Sequence, residues 1–284
     1  MRDLPDFDSL DVIPVSIEPD SNEPAEPVAG PPRLKDGIYA LDPDYYASYG
    51  ENAWRMLTGP LRFERDDWLK LAAAAGITGA LFLADESLRD VWQDDLRNDG
   101  SDFLADATRD FGHTPVIVGS ALGVYAISEA FGLKREKAAS LMVLESFLLT
   151  ALTIDGMKYV TGRERPNKAD SAFDFEGPLK GDTNASFPSG HAGHAFSVAS
   201  VIAEVYGEEN PWVPWVSYGL ATATAFSRIN DNKHWFSDVF VGSALGLAIG
   251  KMVTRFNPFL ERNDLEMVPL ATAGAQGVGM RYQF

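Results

Sequence analysis

The chain has 284 residues, of which 45% are hydrophobic and 23% charged, and its 41 acidic and 24 basic side chains give a formal net charge of -17. Nucleic-acid binding depends on a basic surface, so this balance excludes nucleic acid as the main partner. The absence of cysteine excludes disulfide bonds, thiolate zinc sites and thiol nucleophiles.

Residues 1–67 differ in composition from the rest of the chain. They contain nine of the 17 prolines, and their acidic side chains outnumber the basic ones. The stretch 18–32 (EPDSNEPAEPVAGPP) has almost no apolar side chains to bury, and such segments rarely fold alone. We therefore interpret residues 1–67 as an acidic, proline-rich tail and linker.

From residue 68 onward, apolar runs of similar length recur. They cover 71–84, 115–133, 138–157, 192–206, 212–227 and 239–254. Glycine and proline tend to fall near the ends of these runs and strand signals are sparse, which favours helices. We expect an all-α fold, with a bundle of about six core helices in a domain over 68–257. Gly119 with Gly123 and Gly242 with Gly246 have a spacing that allows close helix contacts.

Two features of these runs bear on a membrane location, and they disagree. A membrane-spanning helix needs about 20 apolar residues, whereas the charge-free stretches here have about 16, and acidic residues interrupt the runs at Glu129, Glu145, Asp155 and Glu204. The clusters of basic residues, however, lie at alternate ends of the runs, as the positive-inside rule requires. We expect a membrane protein, with a soluble periplasmic bundle as the alternative.

Residues 258–284 have a different pattern. Near the end of the chain, large apolar or aromatic side chains alternate with small or polar ones, at Val278, Met280, Tyr282 and Phe284. This period of two is typical of a strand. It predicts a C-terminal extension that forms a short strand or hairpin packed on the bundle.

Two short segments combine histidine with other polar residues. The segment 186–191 (SFPSGH) comes just before an apolar run, so the amides of Gly190 and His191 are expected at a helix N-terminus, where anions bind. His234 and Asp238 are four residues apart, which places them on one face if a helix has begun there. A carboxylate in that position can orient the imidazole and make it a nucleophile or a base.

A third segment, 158–166, supplies positive charge. Lys158 and Arg165 lie at and beyond the end of the third apolar run. Cations at the C-terminal end of a helix commonly interact with its last carbonyl groups. Taken alone, this segment therefore favours helix capping over catalysis.

Together, the three segments resemble the signature of the type 2 phosphatidic acid phosphatase and vanadium haloperoxidase superfamily. That signature is Lys, six residues, Arg-Pro; then Pro-Ser-Gly-His; then Ser-Arg, five residues, His, three residues and Asp. Every fixed position is matched here, by Lys158 with Arg165-Pro166, by 188–191, and by Ser227-Arg228 with His234 and Asp238. The helical pattern extends the resemblance to about 68–255, which leaves out the tail and the C-terminal strand.

The resemblance implies a role for each of these residues. His234 would be the nucleophile that takes the phosphoryl group, Asp238 would hold its other ring nitrogen, and His191 would protonate the leaving alcohol. The non-bridging oxygens would be bound by Lys158, Arg165, Arg228, the Ser189 hydroxyl and the Gly190 amide. Cations and amides stabilise the charge of phosphoryl transfer when they are placed there. No metal or other cofactor is expected.

The other histidines and loop charges are expected outside this set. His194 has helical spacing from His191, and we expect it to line the pocket or pack between helices; His113 is expected at a surface or interface. Arg163 and Lys168 are interpreted as solvated loop charges, with collection of an anionic substrate as the alternative. The loop 167–185 is long enough to form a lid or lip over the pocket.

The resemblance therefore implies a metal-independent phosphatase acting on phosphate monoesters or pyrophosphates through a phosphohistidine intermediate. We expect phosphorylated lipids as substrates, with small phosphate esters as the alternative, and an active site on the extracytoplasmic side of a membrane. Two other functions remain open. Vanadate bound in the same cage would give a haloperoxidase, and a catalytically silent membrane scaffold would recruit partners through its acidic tail. The oligomeric state is not predicted.

Overall fold

The computed structural model describes residues 33–34, 43–178, 185–256, 260–261, 265–272 and 275–282, with side chains described for 49–178 and 185–256. In these residues the chain forms helices α1 (Pro43–Thr58), α2 (Arg65–Asp90), α3 (Asp99–Thr108), α4 (Thr114–Phe131), α5 (Lys134–Thr161), α6 (Gly190–Tyr206), α7 (Val213–Asn230) and α8 (Phe236–Phe256). A π-helical turn, Val91–Leu96, extends α2, and a 3-10 turn, Arg109–Gly112, joins α3 to α4. The strands are β1 (Arg33–Leu34), β2 (Leu260–Glu261), β3 (Leu265–Thr272) and β4 (Ala275–Tyr282).

The predicted all-α bundle is confirmed. The six apolar runs correspond to α2, α4, α5, α6, α7 and α8. The expected punctuation is present, since α4 has proline in its first turn and ends at Gly132, which has a φ of 67°. Helix α5 ends in the same way at Gly162, with a φ of 58°. Only glycine adopts this left-handed conformation without a steric cost, so α4 and α5 stop at these glycines, close to the ends of their apolar runs.

Helices α1 and α3 are not predicted by the apolar runs. Helix α1 lies inside 1–67, the segment interpreted as tail and linker, and its buried Asn52 donates a hydrogen bond to Glu145 Oε1 on α5 at 2.6 Å. Asn98 is the N-cap residue of helix α3, and its side chain accepts hydrogen bonds from the amides of Gly100 and Ser101. A helix cap or a single buried hydrogen bond such as these has little effect on the hydropathy pattern of a sequence. The domain boundaries at 67 and 257 stay predictions.

Helix α6 packs against α5, α7 and α8. The largest group of buried apolar side chains draws on α4, α5, α6 and α8, and it includes Ile117, Met142, Leu149, Val201 and Val253. At one end of this core, the C-terminal ends of α5 and α7 meet the N-terminal end of α6 and the residues that precede α8. Polar side chains from all four elements therefore converge at that end.

Glycines on α8 allow it to lie directly against α6. A Cβ atom at Gly242 would overlap the carbonyl oxygen of Ser189, and one at Gly246 would overlap that of Gly193. The prediction of a close contact is confirmed for this pair. It is wrong for Gly119 and Gly123, where an added Cβ would meet no described atom within 4 Å, because both positions on α4 face open space.

Four of the described helices are long and apolar enough to cross a membrane, namely α2 with its π-helical extension, α4, α5 and α8. In the most apolar 18-residue stretch of α2, only 6% of the residues are buried, and in that of α4 only 17%. Large apolar surfaces of this kind mark contact with a membrane or with another protein. The four helices support the expected membrane location, while the orientation of the helices stays a prediction.

The C-terminal extension contains the predicted hairpin. Strand β3 pairs with β4 in antiparallel register, from Leu265 opposite Tyr282 to Thr272 opposite Ala275. Strand β1 pairs with β2 in the same antiparallel sense. The alternating residues from Val278 to Tyr282 lie in β4, and Phe284 lies outside the described residues.

Gly246→Ala should destabilise the protein, because the added methyl group overlaps the backbone of α6. Overpacking of this kind costs about 1–3 kcal/mol, so we expect a lower midpoint of thermal unfolding in detergent. Gly119→Ala is the matched control and should be neutral or stabilising, since alanine favours a helix by about 1 kcal/mol over glycine. An unchanged midpoint for Gly246→Ala would contradict the close contact.

Candidate active site

A pocket of about 190 Å³ lies where the ends of α5, α6, α7 and α8 meet. Six of the eight predicted site residues line it: Lys158, Arg165, Gly190, His191, Arg228 and His234. Gly112, Thr114, Asp155 and His194 complete the lining. The other two predicted residues, Ser189 and Asp238, are buried next to this lining. The three sequence segments thus converge on one concave site.

The N-terminus of α6 forms one wall of the pocket. Ser189 occupies the N-cap position but makes no side-chain cap bond, and its buried hydroxyl has no hydrogen-bond partner in the described part of the chain. A Cβ atom on Gly190 would lie 3.9 Å from Lys158 Nζ, so the ammonium group lies beside the first turn of α6. Helix N-termini attract anions, and here a cation strengthens that attraction.

His234 lies in the short connection between α7 and α8, and its ring is fixed by contacts to its Nδ1 atom. Nδ1 lies 2.8 Å from the carbonyl oxygen of Ser186, 3.4 Å from the Ser186 hydroxyl and 3.7 Å from Asp238 Oδ2. Because a carbonyl oxygen can only accept, Nδ1 carries the proton and Nε2 is left with its lone pair. Asp238 was expected to hold this nitrogen; its carboxylate is within ion-pair distance, while the hydrogen bond goes to Ser186.

Asp238 binds the surrounding structure through both carboxylate oxygens. Oδ2 accepts hydrogen bonds from the Ser186 hydroxyl at 2.5 Å and from the Trp235 amide at 2.8 Å. Oδ1 accepts from Arg163 Nη1 at 2.7 Å. The carboxylate therefore acts only as an acceptor, as an ionised group does.

Burial lowers the pKa of the His234 imidazole to about 4, and the positive charges of Lys158 and Arg165 act in the same direction. The charge of Asp238 opposes this shift. A group with a lowered pKa is neutral at every pH above that value, so the ring is unprotonated near neutral pH. Only the neutral ring has the lone pair that a nucleophile needs.

Arg228 supplies a second buried cation to the pocket. The residue is 8% exposed, and Nη1 donates to Asp231 Oδ2 at 3.0 Å. Its Nε has no hydrogen-bond partner among the described residues. Buried donors of this type usually find a partner, so the arginine retains binding capacity for an anion.

The other two histidines lie close to the site. His194 lines the pocket and its ring packs 4.6 Å from that of Phe147, so it both lines the pocket and packs between helices, as expected. His113 is exposed, as expected for a surface residue, and its ring stacks on that of His191 at 5.9 Å. The lip suggested by the loop 167–185 is described only in part, since 179–184 lie outside the described residues.

The interpretation of Arg163 as a solvated charge is wrong. Its side chain is fully buried and forms ion pairs with Asp85 and Asp238, whereas Lys168 in the same segment is exposed. Neither Asp85 nor Ser186 was predicted to support the site. Only weak sequence features could have indicated a role for these two residues. Asp85 is the acidic residue that ends the first apolar run, and Ser186 begins the segment 186–191.

Metal ligation was not expected from the sequence. Within the described residues, groups of three or more His, Cys, Asp or Glu side chains suited to a metal ion are absent. Whether the chemistry is independent of metal stays a prediction.

Comparisons with known proteins identify a related family. Residues 139–262 match the model of the PAP2 superfamily. The chain is 35% identical over 126 residues to a lipid A 1-phosphatase of Porphyromonas gingivalis, covering 43% of this chain and 25% of the relative. It is 30% identical over 132 residues to a PA-phosphatase related-family protein of Dictyostelium discoideum, covering 42% and 48%. The chain thus spans a quarter to about half of the length of these curated relatives.

Two solved structures are similar to the fold. One is a transmembrane PAP2 type phosphatidylglycerolphosphate phosphatase from Bacillus subtilis, with 20% identity, a TM-score of 0.46 and coverage of 75% of this chain and 94% of that one. The other is LpxE of Aquifex aeolicus, with 19% identity, a TM-score of 0.44 and coverage of 60% and 94%. The segment 139–262, which matches the PAP2 superfamily model, contains all three parts of the signature.

Proposed function

We propose that this protein is a lipid phosphatase that releases phosphate through a phosphohistidine intermediate on His234. The observation that carries the proposal is the single pocket into which three separated segments bring two histidines and three cations. Nucleophile, acid and charge-stabilising groups must all reach one phosphorus atom, and convergence of this kind is what the reaction requires.

In the first step, His234 Nε2 attacks the phosphorus atom. The bond to the leaving-group oxygen breaks as the N–P bond forms, and the imidazolium of His191 gives its proton to that oxygen. Burial and the charge of Arg228 lower the pKa of this ring to about 3, so the negative charge of the bound substrate is what keeps the proton on His191. In the second step, water attacks the phosphorus atom, His191 takes a proton from the water, and the N–P bond breaks. Inorganic phosphate leaves and both imidazoles return to their starting states. His191 has acted as acid and then as base, and His234 as nucleophile and then as leaving group.

The cations stabilise the transferring group. Phosphoryl transfer concentrates negative charge on the three non-bridging oxygens, and Lys158, Arg165 and Arg228 all line the pocket. Arg228 Nε and Ser189 Oγ, which have no partner among the residues that the structure describes, lie at or beside that lining. Donors that are already in place cost no reorganisation during the reaction. Three cations provide the charge that a magnesium ion supplies in other phosphoryl-transfer enzymes, which is why we propose a metal-independent reaction.

An apolar groove beside the pocket supports a lipid substrate. It has a volume of about 740 Å³ and runs between α4, α5, α6 and α7. The groove and the pocket are adjacent along the chain, since Phe111 lines the groove and Gly112 lines the pocket. Thr224 in the groove is likewise one helical turn from Arg228. A phosphate with an attached acyl chain fits this arrangement, and the named activity of the Porphyromonas relative, a lipid A 1-phosphatase, agrees with it.

The distribution of basic residues supports an active site on the extracytoplasmic side. Arg65 begins α2, the segment 134–137 (KREK) begins α5, and Arg255 ends α8. If these helices cross the membrane, all three ends lie on one side and the pocket lies on the other. Cytoplasmic ends carry the excess of lysine and arginine, so the pocket faces outward.

Purified protein in detergent should release phosphate from lipid phosphates, and His234→Ala should lose this activity. His191→Ala should be slower by about 10²–10⁴-fold, the usual contribution of a general acid. Phosphate release is measured across lipid phosphates, isoprenoid pyrophosphates and soluble monoesters. Lys168→Gln, a change at an exposed residue of the neighbouring loop, is the control and should be fully active. Activity that survives in His234→Ala would exclude the phosphohistidine route.

Removal of metal ions should leave phosphate release unchanged. The pocket contains its own three cations, so a chelator has no ion to take from the site. Activity is compared before and after dialysis against EDTA, with magnesium added back. Loss of activity that magnesium restores would overturn the metal-independent reaction.

The imidazole of His234 should titrate near pH 4, because burial lowers the pKa of this ring. The ring is therefore neutral above about pH 4 and charged below it, in contrast to an ordinary histidine with a pKa of about 6.5. NMR of isotopically labelled histidines in detergent measures this midpoint, with His234→Gln to assign the signal. A midpoint near 6.5 would contradict the burial of the ring.

A further inference from the structure

Arg163 lies behind the active site in a fully enclosed position. It follows Gly162 at the end of α5, and its side chain has no solvent exposure. The residues around it come from α2, from α8 and from the loop that contains Ala172. It does not line the pocket in which phosphate would bind.

All five N–H groups of this guanidinium have an acceptor. Nε donates to the carbonyl of Ala172 at 2.9 Å, and Nη2 donates to the same carbonyl at 2.7 Å and to Asp85 Oδ2 at 2.8 Å. Nη1 donates to Asp238 Oδ1 and to the Ser237 hydroxyl, both at 2.7 Å. An arginine has five such donors, so its orientation is fully determined.

Aromatic rings shield the cluster from water. The guanidinium carbon lies 4.2 Å from the centroid of the Phe82 ring, 5.3 Å from that of Trp235 and 5.6 Å from that of Phe175. Contacts of this kind stabilise a cation. They also keep the local dielectric low, so the charges in the cluster act strongly on one another and on the nearby His234 ring.

The cluster contains one more negative charge than positive charge. Asp85 accepts hydrogen bonds from Arg163, from the Ser237 hydroxyl at 2.5 Å and from the Ser237 amide at 3.0 Å. Asp238 likewise only accepts. Two ionised carboxylates and one guanidinium leave a net charge of about -1 behind the His234 ring. Such a charge is costly to bury unless another charge balances it.

We propose that Arg163 and Asp85, which lie outside the signature, are positioning residues that act on His234 through Asp238. The proposal rests on the proposed function, because a phosphohistidine that keeps its Nδ1 proton has a cationic ring. The net negative cluster balances that ring charge when the N–P bond forms. Arg163 fixes the Asp238 carboxylate, and Asp85 both holds Arg163 and supplies the second negative charge.

Kinetics separates this role from phosphate binding. Arg163→Gln should lower kcat by about 10²-fold, the cost of a small misplacement of a catalytic group. It should leave the inhibition constant for inorganic phosphate nearly unchanged, because the residue is outside the pocket. Arg165→Gln, two residues further along, should instead weaken inhibition by phosphate. Lys168→Gln removes the same charge at an exposed position and should behave like the unmodified protein.

The NMR titration midpoint of His234 is a second measurement, and a purely structural role of Arg163 and Asp85 would not shift it in opposite directions. Charged and titratable groups surround the pocket and the ring: Asp155 and Lys158 on α5, Arg165 after it, His191 and His194 on α6, Arg228 on α7 and Asp238 on α8. These stay in place when Arg163 or Asp85 is changed. Arg163→Gln removes a positive charge and should raise the NMR midpoint of His234 by about one unit. Asp85→Asn removes a negative charge and should lower the midpoint.

The outcomes distinguish the two proposals. Failure of the unmodified protein to release phosphate overturns the proposed function, while opposite midpoint shifts in the two variants still establish the charge coupling to His234. If the unmodified protein is active but Arg163→Gln matches Lys168→Gln in kcat and midpoint, the positioning role is overturned. Should Arg163→Gln not fold, Asp85→Asn and Arg163→Lys decide: a lower kcat, unchanged phosphate inhibition and a lower midpoint in Asp85→Asn support the role, and unchanged values in both variants overturn it.

Discussion

The close approach of α6 and α8 is the constraint on which the rest of the site depends. Gly242 has no side chain, so the α8 backbone reaches the Ser189 carbonyl at the start of α6. At the same level, the Ser189 amide donates to the Asp238 carbonyl at 3.0 Å. These contacts set the separation between the segment 188–191 and the pair His234 and Asp238. The two imidazoles of the site are therefore placed by backbone packing rather than by contact with each other.

The site separates opposite charges into two layers. Lys158, Arg165 and Arg228 line the pocket, while the carboxylates of Asp85 and Asp238 lie behind it. Cations held in a buried pocket repel one another and pay a desolvation cost. A bound phosphate offsets both the repulsion between the cations and their desolvation cost. The unfavourable free energy of placing these cations together during folding is therefore recovered in binding and catalysis. The negative layer opposes the effect of this positive charge, which disfavours a cationic His234 ring.

Much of this arrangement follows from local pattern. Apolar runs identified six helices. The resemblance to a family signature identified Lys158, His191 and His234 as residues that meet in one pocket, whereas the local pattern around Lys158 alone favours helix capping. The pairing of Arg163 with Asp85 could not be predicted, since 78 residues separate the two. A charged residue in a polar loop has the same local pattern whether it is solvated or buried.

Helix α1 shows the same limit in the fold. Besides apolar contacts with the core, its docking includes the buried pair Asn52 and Glu145, polar residues that a hydropathy pattern assigns to the surface or counts as interruptions. Glu145 was an argument against a membrane helix, yet it is fully buried in α5, which is long and apolar enough to cross. Ionisable groups inside such helices face the interior of the bundle and find a polar partner there. Buried polar pairs are specified by tertiary structure, and sequence alone shows only one member at a time.

Ser186 and Asp238 divide two tasks that a histidine–carboxylate pair usually combines. The Ser186 carbonyl accepts the Nδ1 proton bond at 2.8 Å and fixes the tautomer, because it cannot take the proton itself. The Asp238 carboxylate is 3.7 Å away, beyond hydrogen-bond distance. Coulomb energy falls only as the inverse of distance, so the carboxylate retains about three quarters of the interaction it would have at 2.8 Å. The Ser186 carbonyl thus sets the tautomer of the His234 ring, and the Asp238 carboxylate sets the charge next to it. A change at Arg163 or Asp85 affects the ring through Asp238.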